Sequence, residues 1–224
     1  MTVAIHQPNF IPWLGFFYKI KHCDIFVLLD DVQYTKNSLI NRNKIKTTQG
    51  EQWVTMPVLH SGSFGQCINE TRLLMSEKHY LKFLRSLQMN YSKAPFYEEI
   101  ITLLSIDDFS CDILSSFNES LIRIIARYLE IQTLIIKSSD LEGIEGCSTN
   151  RLISICKHLG ADKYLAGLGS RNYQDDSLFL EAGIDPIISS FSYPLYEQLH
   201  GSFLPNLSIV DVLMNNGKRT LQFI

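Results

Sequence analysis

His6, Gln7, Asn9 and Trp13 fall within eight residues of one another and bring together the side chains that a small-molecule site needs. An unperturbed imidazole titrates near ~6.5, so His6 is a candidate base for taking a proton from a reacting amine. Gln7 and Asn9 supply amide donors and acceptors, and Trp13 supplies a flat apolar wall. Asp30 and Asp31 are the carboxylates placed to orient His6 and stabilise its charged form. Successive strand residues point to opposite faces, so both can serve one site only if the strand has already turned there. Ser148 or Thr149 reads as a helix N-cap, with Arg151 on the first turn. Free N–H groups and a guanidinium fork together suit a phosphate or carboxylate. Gly167-x-Gly169, with Arg171 two residues on, reads as a second anion contact, although the full dinucleotide fingerprint is absent.

Other chemistries find less support. No G-x-S-x-G elbow occurs, which removes the best-known serine-triad signature. His22, His60, His79, His158 and His200 share no metal-ligand spacing, so no metal is expected. The five cysteines are odd in number and form no C-x-x-C pair, the pattern of reduced thiols in a cytoplasmic protein. Cys147, just before a helix start, is the best nucleophile candidate among them.

The elements that must position these residues can be read from periodicity. Thr2–Ile5 is apolar from the outset and predicts a buried strand that feeds the His6–Asn9 turn. Trp13, Phe16, Phe17 and Ile20 recur at helical spacing, with Pro12 suited to the first helical position. Asp24–Leu29 predicts an interior strand, and the 36–46 segment behind it could pair with the two aspartates. Gln52–Val58 alternates like a strand, and Ser61–Gln66 reads as a flexible loop tip. Residues 77–130 carry helical stripes in several pieces. Strands at 133–137, 163–166 and 186–189 then alternate with helices at 150–159, 177–182 and 208–216. That alternation predicts an α/β fold: a mostly parallel sheet covered by helices on both faces, Rossmann-like in its layering, with a mainly helical block in mid-chain. One domain over residues 1–224 is expected, with 77–130 a helical insertion or lid. The loops His6–Asn9, Asp30–Gln33, Ser138–Arg151 and Gly167–Tyr173 would share the C-terminal edge of the sheet, where ligands sit in such folds.

At 224 residues the chain can bury one sizeable core. A net charge of −3 gives no basic footprint for nucleic acid. No apolar run reaches the roughly twenty residues of a membrane span, and the N-terminus lacks the features of a signal peptide.

Several stretches resemble the WbqC-like family of bacterial proteins. They are Ile5-His6-Gln7-Pro8-Asn9-Phe10 with Pro12-Trp13-Leu14-Gly15-Phe16, the run from Phe26 to Tyr34 through Asp30-Asp31-Val32-Gln33, and Asn41-Arg42-Asn43-Lys44-Ile45-Lys46. Ser138-Ser139, Ser148-Thr149, Leu165-Ala166-Gly167, Tyr173, Tyr193-Pro194 with Tyr196 and Gln198, and Leu207–Leu213 continue the likeness nearly end to end. The chain departs from it at Lys36-Asn37-Ser38-Leu39, where an arginine and an aromatic are more usual. The resemblance implies a cytoplasmic protein of O-antigen and related surface-polysaccharide (lipopolysaccharide) gene sets. Acyl or aminoacyl transfer to a nucleotide-linked amino sugar fits that setting. His6, Asp30 and Asp31 would be the catalytic groups. Gln7, Asn9, Trp13, Gln33, Arg42, Asn43, Ser148, Thr149, Arg151, Gly167, Arg171 and Tyr173 would contact substrate. The cofactor stays open between ATP and an acyl donor, and so does a homodimer. His6 with Ser148-Thr149-Asn150-Arg151 is also loosely similar to the H-x-G-H and S-T-x-x-R pair of adenylyltransferases, but lacks the second histidine and has the arginine one residue closer. A non-catalytic sugar-nucleotide binding subunit is the remaining alternative.

Overall fold

The central strand, β1 (Thr2–His6), is flanked by β2 (Ile25–Leu28) on one side and β6 (Lys163–Ala166) on the other. With β5 (Leu134–Lys137) and β7 (Asp185–Ile188) they form a five-stranded sheet in the order β5-β2-β1-β6-β7, and all four pairings are parallel. The computed structural model describes residues 1–59, 65–106, 108–169 and 174–224.

Alternation along the strands explains the layering. Ala4, Phe26 and Leu28 face one apolar cluster, whereas Val3, Ile5 and Val27 face another. The first cluster is covered by α1 (Leu14–Lys21), α4 (Leu114–Tyr128) and α7 (Ile209–Asn216), the second by α5 (Ser148–His158) and α6 (Asp176–Glu181). The sheet is therefore buried on both faces, as apolar runs such as IFVL require. The 77–130 stretch is carried by α2 (Ser76–Tyr91), α3 (Tyr97–Leu104) and α4. Their inward faces join the same cluster as α1 through Tyr80, Leu87, Ile100 and Leu121. Among the described residues, no helix is long and apolar enough to cross a membrane.

Two expectations are corrected. The 36–46 segment does not pair with the aspartates. Its second half is β3 (Arg42–Thr47), antiparallel to β4 (Gly50–Thr55), in a separate hairpin. Lys46 and Asn43 are buried in that hairpin, so its polar-looking sequence hid a strand. Pro12 is not the first helical residue either: Trp13 holds the N-cap position, and the Pro12 carbonyl accepts the Ile209 N–H. The Ser61–Gln66 expectation falls mostly on residues outside those described.

The C-terminal segment is locked by a buried polar knot. Tyr91 and Tyr196 hydroxyls both donate to Asp211, and the Lys46 ammonium donates to Gln198 and to the Ser202 carbonyl. Asp211 is fully buried, and burial raises its carboxyl above the usual range. Tyr196, Gln198 and Asp211, which carry part of the family resemblance, thus join Tyr91 and Lys46 in holding α2, β3, α7 and the segment after β7 together.

Candidate functional site

Counted along the chain, the five strands of the sheet lie in the order 3-2-1-4-5, so the direction of winding reverses between β1 and β6. At such a switch point the loops leaving the two strands diverge and a crevice forms. Here the strands themselves part early. β1 pairs with β2 as far as His6↔Leu28, but with β6 only at Thr2↔Lys163 and Val3↔Tyr164. The His6 carbonyl still accepts the Leu29 N–H on the β2 side. The Ile5 carbonyl accepts a hydrogen bond from Lys19 Nζ at 3.1 Å.

Two cavities meet in this gap. One, of about 310 Å³, is bounded by Gln7, Val32, Ser148, Thr149, Arg151 and Gln174. The other, of about 590 Å³, is bounded by Trp13, Gly15, Lys19, Gly167, Phe191 and Tyr193. Ile5, His6 and Tyr164 line both. Both volumes fall within the range of small-molecule sites.

His6 is half-buried at the junction, with its ring edge-on to Trp13 and Phe16 at centroid distances of 5.4 and 5.0 Å. Its Nδ1 lies 3.0 Å from the Gln7 carbonyl, an acceptor, so Nδ1 carries the proton and Nε2 keeps its lone pair in the neutral ring. Burial, and then the charge of Lys19, push its pKa from 6.5 down to about 3. The imidazole is therefore neutral at physiological pH, which corrects the unperturbed value expected from sequence. The charged neighbour is Lys19, and neither aspartate orients the ring.

Asp30 and Asp31 belong to a network of their own. The Asp30 carboxylate accepts from the Ser139 N–H at 3.0 Å and from the Ser139 hydroxyl at 2.9 Å. The Ser138 hydroxyl lies within bonding distance of both carboxylates, 2.6 Å from Asp31 and 3.2 Å from Asp30. Burial raises the Asp30 carboxyl, with the serine bonds opposing it. Asp31 forms an ion pair with Arg151, both side chains being about one-fifth exposed. The turn after β2 thus brings both aspartates onto the Ser138 hydroxyl at the start of the 138–147 loop, with Asp30 also gripping Ser139 and Asp31 also fixing the arginine.

The start of α5 departs from expectation. Cys147 occupies the cap position without a side-chain hydrogen bond, and Ser148 has a φ of +50°, in the left-handed region. The Thr149 hydroxyl instead accepts the Asp175 N–H at 3.2 Å. Ser148, Thr149 and Arg151 nevertheless line the smaller cavity together with Gln7. The Arg151 Nε and Gln174 Oε1 atoms are buried there without a partner among the described residues.

Trp13 and Gly167 line the larger cavity. Asn9, Gln33, Arg42 and Asn43 line neither. Asn9 is buried, and Asn43 donates to the Phe10 and Ile11 carbonyls at 3.2 and 2.8 Å. Ile11 has a φ of +37°, costly for a β-branched residue, and Ser208 also donates to its carbonyl. Asn43 thus holds the loop that leads from His6 into α1. Arg42 stacks over Trp53 at 4.2 Å, and Gln33 is exposed and bridged to Cys67. Arg171 and Tyr173 lie outside the described residues.

Lys19 is the residue that sequence reasoning missed. It sits on the buried stripe of α1 between Phe16 and Ile20, and a lysine on an inward helical face was the signal. Tyr164, Gln174 and Phe191 carried no comparable signal, because they come from separate parts of the chain, and Tyr193 was marked only by its place in the family resemblance.

Fold and site together define a doubly wound α/β protein whose crevice opens at the switch point, beside the carboxyl end of β1. Within that class, the chain belongs to the WbqC-like protein family, whose model matches residues 7–223. It is 39% identical over 227 residues to a protein named "Uncharacterized protein Rv1507c" of Mycobacterium tuberculosis (strain ATCC 25618 / H37Rv), a match covering 99% of this chain and 96% of that protein. No solved structure matches the chain.

Proposed function

We propose that this protein is a two-substrate transferase of nucleotide-sugar or surface-polysaccharide biosynthesis that moves an acyl or aminoacyl group onto an amino sugar. The observation carrying the reading is that one neutral imidazole, His6, forms a wall of both cavities. A group-transfer enzyme needs its two reactants held face to face, and orientation alone removes a large part of the barrier. The smaller cavity suits the anionic end of a nucleotide-linked sugar, with Arg151 held ready by Asp31 and the free N–H groups of α5 beside it. The larger one suits the group to be transferred. His6 Nε2, aprotic and without a hydrogen-bond partner among the described residues, would accept the amine proton as the new C–N bond forms and the bond from the acyl carbon to its activating thiolate or phosphate breaks, that group leaving with the electron pair. ATP or an acyl donor would supply the activation.

Thermal melting in the presence of nucleotide-linked amino sugars, ATP, amino acids and acyl-CoA identifies the substrate classes. A ligand at a hundred times its Kd adds about 2.7 kcal/mol. With substrates in hand, His6→Gln should lower turnover by about 10²-fold or more while leaving affinity within a few-fold. Unchanged turnover in the folded variant refutes the proton-acceptor role.

A non-catalytic sugar-nucleotide binding subunit is favoured by one observation, the weak basicity of His6. On that reading His6 only accepts a hydrogen bond from ligand, and His6→Gln changes affinity with no turnover to lose.

A further inference from the structure

Lys19 has no evident structural task large enough to justify its burial. It is 4% exposed, and among the described residues one of its three N–H donors is used, on the Ile5 carbonyl. Among the described residues no carboxylate pairs with it, and no aspartate or glutamate lines the larger cavity. A buried ammonium without a counter-charge is unfavourable unless it loses its proton or gains an anion. The rest of the wall explains what kind of anion fits. Trp13, Phe191 and Tyr193 supply broad apolar surface around Lys19, the one cation among the described residues of this wall. Gly15 keeps the wall flush, because a Cβ there would come within 2.9 Å of both Phe191 and Trp13.

We propose that the larger cavity is a carboxylate subsite: Lys19 Nζ holds the carboxylate of a small organic acid whose body lies against Trp13, Phe191 and Tyr193. The assignment names the chemical class of the second substrate and rests on the two-cavity reading for its place beside His6. It is tested by binding alone, so it can fail while the transfer reading stands, and the reverse.

The amine itself supports the assignment. Burial lowers its pKa from 10.5 to about 8, so Lys19 can carry its charge at neutral pH and lose it under mildly basic conditions. A bound carboxylate favours the charged form and pulls the value back up. The titratable groups around it are His6 from β1, Tyr164 from β6, Tyr193 from the segment after β7, and Cys23 from beyond α1. His6 is neutral above pH 6, and burial raises the Cys23 thiol to about 12 and pushes Tyr193 above its usual range.

The test compares phenylacetate with its neutral isostere phenylacetamide by ligand-observed NMR, at pH 6.5 and pH 9.5, on the wild-type protein and on Lys19→Met. The expected result is that phenylacetate binds wild type at pH 6.5 at least ~10-fold more tightly than phenylacetamide. That preference should vanish in Lys19→Met and fall sharply in wild type at pH 9.5. The pH arm needs no substitution, so it decides the matter even if Lys19→Met fails to fold. Equal binding of the two probes at pH 6.5, or no binding of phenylacetate, overturns the proposal. A preference that persists at pH 9.5 or in folded Lys19→Met also overturns it, because it would report a cation other than Lys19.

Discussion

His6 illustrates how a side chain's neighbours decide its chemistry. In the unfolded chain it binds a proton below about 6.5, but in the folded protein only below about 3. Between those values the unfolded state holds the extra proton, so stability falls as pH drops from about 6.5 toward 3 and is fully present above that window. His6→Gln removes this linkage. The wild-type protein should lose about 2 kcal/mol relative to the variant between pH 6.5 and pH 5, read as a divergence of their melting curves. Parallel curves would show that His6 protonates freely in the folded state. Arg151 carries the opposite lesson. From sequence it is a free arm at a helix start, whereas in the structure it neutralises a half-buried Asp31. Arg151→Ala should therefore cost roughly 1–3 kcal/mol of stability as well as anion affinity. That is several degrees of melting temperature for a chain this size. An unchanged melting point would mean the ion pair is idle.

At the scale of elements, most of the α/β framework was legible in sequence, because its strands are apolar runs and its helices carry clean stripes. Lys163–Ala166 falls where periodicity placed it, Leu134–Lys137 begins one residue later than expected, and Thr2–His6 extends one residue further. The β3–β4 hairpin was only half legible. Arg42-Asn43-Lys44-Ile45-Lys46 looks like solvated chain, yet Asn43 and Lys46 are buried because each bonds backbone carbonyls of distant segments. Such long-range polar partners leave no periodic trace. Ser138 and Ser139 were similarly opaque: their role depends on a turn at Asp30-Asp31 that lies over a hundred residues earlier. β1 is central, paired on both sides and apolar on both faces. Deleting Thr2 to Ile5 should consequently unfold the protein. A soluble deletion variant with native circular dichroism and near-native melting would show the sheet can do without it.

At the scale of the whole molecule, the early parting of β1 and β6 is what turns a Rossmann-type sheet into a crevice. Lys19 from α1 occupies the open edge of β1, the Asp31–Arg151 pair braces the other wall, and His6 stands between two cavities. Some residues that looked like contacts from sequence lie away from the cavities: Asn9 is buried, and Asn43 holds the loop that leads from His6. Their distance from the cavities could not be read from motif membership, since a residue that shapes a loop and one that touches a ligand leave the same mark in a sequence.

His6 forms the shared wall of two cavities, and its own imidazole resonances report on what enters either one. In ¹⁵N-histidine-labelled protein, His6 should show the neutral Nδ1–H form from pH 7 down to about pH 4, well below the ordinary range near ~6.5. Its Nε2 signal should then move on separate addition of UDP-N-acetylglucosamine, a probe of the Arg151 side, and of phenylacetate, a probe of the Lys19 side. An Nε2 signal that titrates near pH 6.5, or one that responds to neither probe, would contradict the account.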